Sequence, residues 1–159
     1  MNKSPSFSSL KFWGSRTLSN LEATENLAKE ILSQLKPRSV IGLQGDLGSG
    51  KTHFVKALAR QLGCAEDEVN SPSYAIHQEY QGANISLQHI DLYRLETDEE
   101  IESSGFWDLF YEENSFIAIE WVDRLQTSSI PQNHSYWRME WECFEDGSRL
   151  VKIFVRENN

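Results

Sequence analysis

Eight consecutive residues of this chain are spaced for holding a polyphosphate. Gly45-Asp46-Leu47-Gly48-Ser49-Gly50-Lys51-Thr52 fits the pattern G-x-x-x-x-G-K-[ST]. In such a loop the glycines let the backbone wrap phosphate oxygens with its N–H groups pointing inward. Lys51 brings an ammonium to the β- and γ-phosphates, and Thr52 offers a hydroxyl to Mg²⁺. The helix that follows adds its positive N-terminal end, which extends the candidate nucleotide contacts to His53. A chance match is expected in roughly 0.5% of chains of this length, so the motif weighs strongly for a real site.

Nucleotide hydrolysis needs more than this loop. A carboxylate must hold the metal, and a further group must orient the attacking water. In open α/β sheets such groups gather at the carboxyl ends of strands. Two candidates stand there. Asp91 ends Ile85–Ile90, and Glu120 ends the wholly apolar run Phe116-Ile117-Ala118-Ile119. Pattern favours Glu120 as the acidic strand end but leaves open which carboxylate meets the metal. His89 lies two residues before Asp91 and so on the same face of its strand. It suits either a general base or a histidine donating a hydrogen bond to a carboxylate. Arg94 and Arg124 follow the two acids; either could neutralise phosphate charge, and a surface ion pair is the more common fate of such arginines.

These groups need elements to place them. Ser39 to Gln44 predicts a short strand before the loop. Phe54, Val55, Leu58, Ala59 and Leu62 predict an amphipathic helix after it, ended by Gly63. Upstream, Leu10 to Gly14 reads as an edge strand. Ser19 and Glu22 read as a capping box for a helix with Leu21, Leu27, Ala28, Ile31, Leu32 and Leu35 on its apolar face. Downstream, Ser73 to Tyr80 and Ile85 to Asp91 read as strands around a turn at residues 81–84. Thr97 and Glu100 suggest a second capping box, with the helix broken at Gly105. The aromatic stretch 106–111 reads as core packing, with a partner-facing surface as the sharper alternative. Trp137, Met139, Trp141 and Cys143 alternate with polar residues and are answered by Val151, Ile153 and Val155, so residues 135–156 form a hairpin completing the sheet. The order predicts an α/β fold: a P-loop NTPase-like central mixed sheet flanked by helices, with a C-terminal β-hairpin.

The 159 residues are expected to make one domain over 1–159, with the Ser-rich residues 1–9 loose. No apolar run approaches a membrane span, and the N-terminus lacks a signal-peptide pattern, so a cytoplasmic protein with no membrane role is expected. Cys64 and Cys143 show no metal or redox spacing; they read as a helix-end residue and a core-facing strand residue. The formal charge of −9, with no basic stripe, argues against direct high-affinity nucleic-acid binding.

Four patches in order, GDLGSGKT, SPSYAIHQEY, HIDLYRL and IEW, resemble the TsaE (YjeE) family over residues 19–125. Its members are bacterial ATPases needed for threonylcarbamoyladenosine modification of tRNA. The resemblance implies ATP/ADP and Mg²⁺ as cofactors. Gly45, Gly48, Gly50, Lys51 and Thr52 match the family's phosphate loop, and Ser71-Pro72-Ser73 matches its switch-like segment, with Ser73 where threonine is usual. Asp91 matches the Walker B-like acid, which makes it the metal-side carboxylate. Glu120 and Trp121 match the E-W motif, which makes Glu120 the group that positions water or γ-phosphate near the metal. The resemblance also implies a TsaB–TsaD heterodimer as partner, with tRNA engaged only indirectly and hydrolysis resetting that complex. Two alternatives are a small-molecule kinase, for which the region after residue 125 shows no arginine cluster, and a non-catalytic nucleotide-sensing module. A guanine site is disfavoured by the lack of an [NT]KxD motif.

Overall fold

A computed structural model describes residues 10–65, 69 and 76–157. The expectations for residues 1–9 and for Ser73 lie outside the described residues. The elements run β1 (Lys11–Leu18), α1 (Leu21–Gln34), β2 (Val40–Gly45), α2 (Lys51–Gln61), β3 (His77–Gln81), β4 (Ser86–Asp91), α3 (Asp98–Ser103), β5 (Ser115–Glu120), β6 (Tyr136–Cys143) and β7 (Arg149–Arg156). Short 3₁₀ turns cover Phe106–Tyr111, Val122–Arg124 and Thr127–Ser129.

The strands pair in the order β1-β7-β6-β2-β5-β4-β3. β2 runs parallel to both β5 and β6, and β4 runs parallel to β5. The pairs β1–β7, β6–β7 and β3–β4 are antiparallel. The sheet is therefore mixed, and the C-terminal hairpin joins it beside β2 with β1 as the outer edge. β5 is buried along its whole length, as its unbroken apolar sequence requires of a strand covered on both faces.

One face of the sheet packs against α1 and α2. Leu27, Ala28 and Ile31 of α1 and Phe54, Val55 and Leu58 of α2 meet Ile41, Leu43, Met139, Trp141 and Ile153. On the other face Val40, Ile90, Ile117 and Ile119 pack against Ile101, Phe106, Phe110 and Val122. Phe106 and Phe110 are thus core residues. Trp107 and Leu109 pack against them, and Tyr111 is exposed.

Three expectations are corrected. The N-cap of α1 is Asn20, whose Oδ1 accepts from the Ala23 N–H at 2.8 Å, not Ser19. Asn20 is the last extended residue before the helix, so its side chain meets the amide three residues on. Cys143 is exposed, because β6 loses its helix cover after Trp141. Arg124 donates to the Tyr93 carbonyl at 3.0 Å and forms no ion pair among the described residues. The second capping site holds: Thr97 Oγ1 accepts from Glu100 N–H at 3.1 Å. No helix among the described residues is long and apolar enough to cross a membrane.

Candidate nucleotide site

The site grows from the end of β2. That strand is buried until Gln44 and Gly45, where the chain turns out of the sheet and re-enters a helix at Lys51. Two glycines make this path possible. A Cβ on Gly45 would lie 2.6 Å from the Trp141 carbonyl oxygen, so β6 and the loop approach too closely for any side chain. Gly50, the N-cap of α2, has φ 108, a backbone state that L-residues rarely adopt. No side chain caps α2, so its first amides point into the space in front of the loop.

Lys51 is 4% exposed. Its Nζ donates to the carbonyls of Gly45 and Asp46, the latter at 3.0 Å, and lies 4.5 Å from the centre of the Trp121 ring. Burial lowers its pKa, while Glu120, Asp91, Asp123 and Asp46 act to hold the proton on. Trp121 sits at φ 60, a costly conformation for a non-glycine residue, and it also packs on Tyr93 with ring centres 5.0 Å apart. That conformation turns the indole toward the ammonium.

Asp91 and Glu120 are direct partners in the parallel β4–β5 register. Their environments differ. Asp91 is half-buried, and its Oδ1 accepts from the Tyr93 N–H at 3.0 Å. Glu120 is 3% exposed. Its Oε1 accepts from Thr52 Oγ1 at 2.7 Å, and its Oε2 lies 2.5 Å from His89 Nε2. Burial alone would raise the Glu120 pKa. The hydrogen bond and charge of His89, the Thr52 bond and the Lys51 charge outweigh it and hold the pKa below the usual carboxylate value. His89 therefore partners the acid on the neighbouring strand, and its ring stacks on Tyr80 at 6.3 Å.

These groups surround one cavity of about 300 Å³. Leu47, Gly48, Ser49, Gly50, Lys51, Thr52 and His53 line it on the loop side, facing Asp91, Glu120 and Trp121. Gly45 and Asp46 stand behind, as acceptors for Lys51. Of the sequence-chosen site residues, only Ser73 is outside the described residues. Two further lining residues, Tyr93 and Arg149, were not singled out as contacts. Tyr93 lies within the HIDLYRL patch and was open to notice. Arg149 had no local signal, because only strand register brings it here.

The donors fit an anionic ligand. Ser49 Oγ and Arg149 Nε are buried without a hydrogen-bond partner, beside an uncapped helix N-terminus and a lysine. Thr52, Asp91 and Glu120 line the same cavity. That donor set suits Mg²⁺, which keeps waters and substrate phosphates among its ligands and needs only one or two carboxylates.

Comparison with known proteins narrows the assignment. A family model described as "Threonylcarbamoyl adenosine biosynthesis protein TsaE" matches residues 18–150. Among curated relatives named tRNA threonylcarbamoyladenosine biosynthesis protein TsaE, that of Rickettsia conorii is 32% identical over 145 residues, covering 90% of this chain and 80% of its own. That of Aquifex aeolicus is 36% identical over 138 residues, covering 86% and 92%. The crystal structure of Bacillus subtilis YdiB superposes with a TM-score of 0.67 at 26% identity, covering 92% of this chain and 87% of that one. The two share a P-loop NTPase-like fold.

Proposed function

This chain belongs to the TsaE family and has the family's general role in tRNA threonylcarbamoyladenosine biosynthesis; from that premise we propose that it acts there as a weak Mg²⁺-dependent ATPase. The observation that carries the reading is the convergence of Lys51 and Thr52 with Asp91 and Glu120 around one cavity at the mouth of the phosphate loop.

The residues divide the work by position. The amides of Gly48 to Thr52 and the Lys51 ammonium hold the phosphates of ATP or ADP. Thr52 and Asp91 are the residues that would hold Mg²⁺, with Glu120 close enough to take part. The ion, when bound, screens phosphate charge and polarises the phosphoryl oxygens. Glu120 is ionised at neutral pH and fixed from behind by His89, so it suits orienting water and accepting its proton. The Trp121 ring lies 4.5 Å from the Lys51 ammonium and limits water access to it.

The partner in this reading is a TsaB–TsaD heterodimer, with hydrolysis resetting that complex and the protein residing in the cytoplasm. The charge of −9 supports an arrangement in which another subunit holds the tRNA. The test is phosphate release from Mg-ATP by the purified protein beside Lys51→Ala. The variant should lose nucleotide binding and turnover, because the phosphates lose their main side-chain counterion. An unaltered rate in Lys51→Ala overturns the proposal.

A further inference from the structure

We infer that Gln78 of β3 is a positioning residue for the water that attacks the γ-phosphate, acting from a second polar cavity that shares Glu120 with the nucleotide cavity. The inference rests on the ATPase reading above and adds a residue to it.

The second cavity holds about 130 Å³, room for several waters at about 30 Å³ each. Thr52, Asp91 and Glu120 line both cavities. The loop residues Leu47 to Lys51 line the first and not the second, while Gln78, Tyr80 and His89 line the second and not the first. Among its described wall residues the second cavity has two carboxylates against one lysine, Lys56, and none of the loop glycines. Such a space suits water rather than phosphate.

Gln78 is oriented for work in this space. Gln78 and Tyr80 are two apart on β3 and so share a face. The Tyr80 hydroxyl donates to Gln78 Oε1 at 3.1 Å. An amide held by its oxygen keeps both Nε2 hydrogens to give, and they meet no acceptor among the described residues. Tyr80 is 1% exposed and its ring stacks on His89, so the tether is itself held. In the antiparallel register Gln78 is the partner of His89, and His89 Nε2 is bonded to Glu120. Gln78, His89 and Glu120 therefore stand on three neighbouring strands, β3, β4 and β5, around one cavity. Thr52 and His89 each engage one oxygen of Glu120, and each oxygen keeps a lone pair for water. A water that accepts from the Gln78 amide and donates to Glu120 is fixed from two sides and has a lone pair left for attack. Its oxygen bonds the γ-phosphorus and its proton passes to Glu120. The bond to the oxygen bridging the β- and γ-phosphates breaks, leaving ADP and inorganic phosphate.

The test is phosphate release over a range of Mg-ATP concentrations by wild type, Gln78→Met, Gln78→Asn, Tyr80→Phe and the double variant of Gln78→Met with Tyr80→Phe. ADP affinity by calorimetry and a thermal melt accompany each. Gln78→Met keeps the length and removes the amide. It should lower turnover at saturating ATP about tenfold or more, with KM and ADP affinity near wild type. Gln78→Asn keeps a shorter amide and should recover part of the rate. Tyr80→Phe cuts the tether and keeps the ring. It should lower turnover less, and should add nothing in the Gln78→Met background. A purely structural Gln78 would lower the melting temperature without the rescue by asparagine or this non-additivity. Wild-type turnover in Gln78→Met overturns the inference. So does a fall in ADP affinity that matches the fall in turnover, which would make Gln78 a nucleotide contact, and so do effects of the two substitutions that simply multiply. If wild type itself releases no phosphate, the ATPase reading falls and this inference with it. An active wild type beside an equally active Gln78→Met overturns this inference alone.

Discussion

Glu120→Gln separates chemistry from architecture at this site. Glu120 is 3% exposed and holds two hydrogen bonds, to Thr52 Oγ1 at 2.7 Å and to His89 Nε2 at 2.5 Å. Glutamine keeps the shape and can keep both contacts: its carbonyl accepts from Thr52, and its amide donates to an unprotonated His89 Nε2. What is lost is the charge assistance, about 1 kcal/mol for each bond. Burying a neutral amide in place of a carboxylate returns part of this, leaving a net loss of about 1 kcal/mol. In a chain of this size that lowers the melting temperature by about 2–4 °C. Turnover should respond far more, because a positioned general base contributes about 10²- to 10⁴-fold. The assays are phosphate release at saturating Mg-ATP, ADP affinity by calorimetry and a thermal melt. The expected outcome is turnover reduced at least about 100-fold, near-normal ADP affinity and a small melting shift. Wild-type turnover in Glu120→Gln would refute the role assigned to this carboxylate. A melting loss of more than about 10 °C would show instead that the ion cluster mainly holds the fold.

Further expectations concern pH and the core. The folded Glu120 pKa lies below its unfolded value, so this group stabilises the fold above the unfolded carboxylate pKa of about 4.3 and loses that contribution as pH falls through the lower folded value. Urea unfolding between pH 7 and pH 3 should show a wild-type decline whose Glu120 share is absent from Glu120→Gln; parallel curves would contradict this. Away from the site, Arg156 is buried and donates to the carbonyls of Thr127, Ile130 and Pro131. Arg156→Met strands those acceptors and should cost about 2–4 kcal/mol in chemical denaturation, with nucleotide affinity unchanged in the folded protein. Loss of affinity at unchanged stability would show that this reasoning is wrong.

What could be read in the sequence was what is local along the chain. The phosphate loop, its preceding strand and its following helix are contiguous, so residue types at fixed spacing report them together. β5 was legible because a strand buried on both faces leaves an unbroken apolar run ending at Glu120. The hairpin alternation was legible up to Trp141 and misleading at Cys143, where the strand outruns its helix cover. Contacts across the sheet were not legible. Asp91 and Glu120 are neighbours by register alone, and His89 chose its partner on the adjacent strand. Arg149 reaches Gly50 across 99 positions of chain because β7 folds back along β6 beside β2. The N-cap at Asn20 was missed by one residue because Ser and Asn at consecutive positions both suit a cap, and only backbone conformation decides between them.

The central claim is a nucleotide-controlled role alongside TsaB and TsaD. The most direct measurement is a pull-down of the tagged full chain with the cognate TsaB–TsaD pair, run with Mg-ATP and with Mg-ADP, and repeated with Lys51→Ala. Association should differ between the two nucleotides, with the difference lost in Lys51→Ala. Equal association under both nucleotides, or none under either, would contradict it.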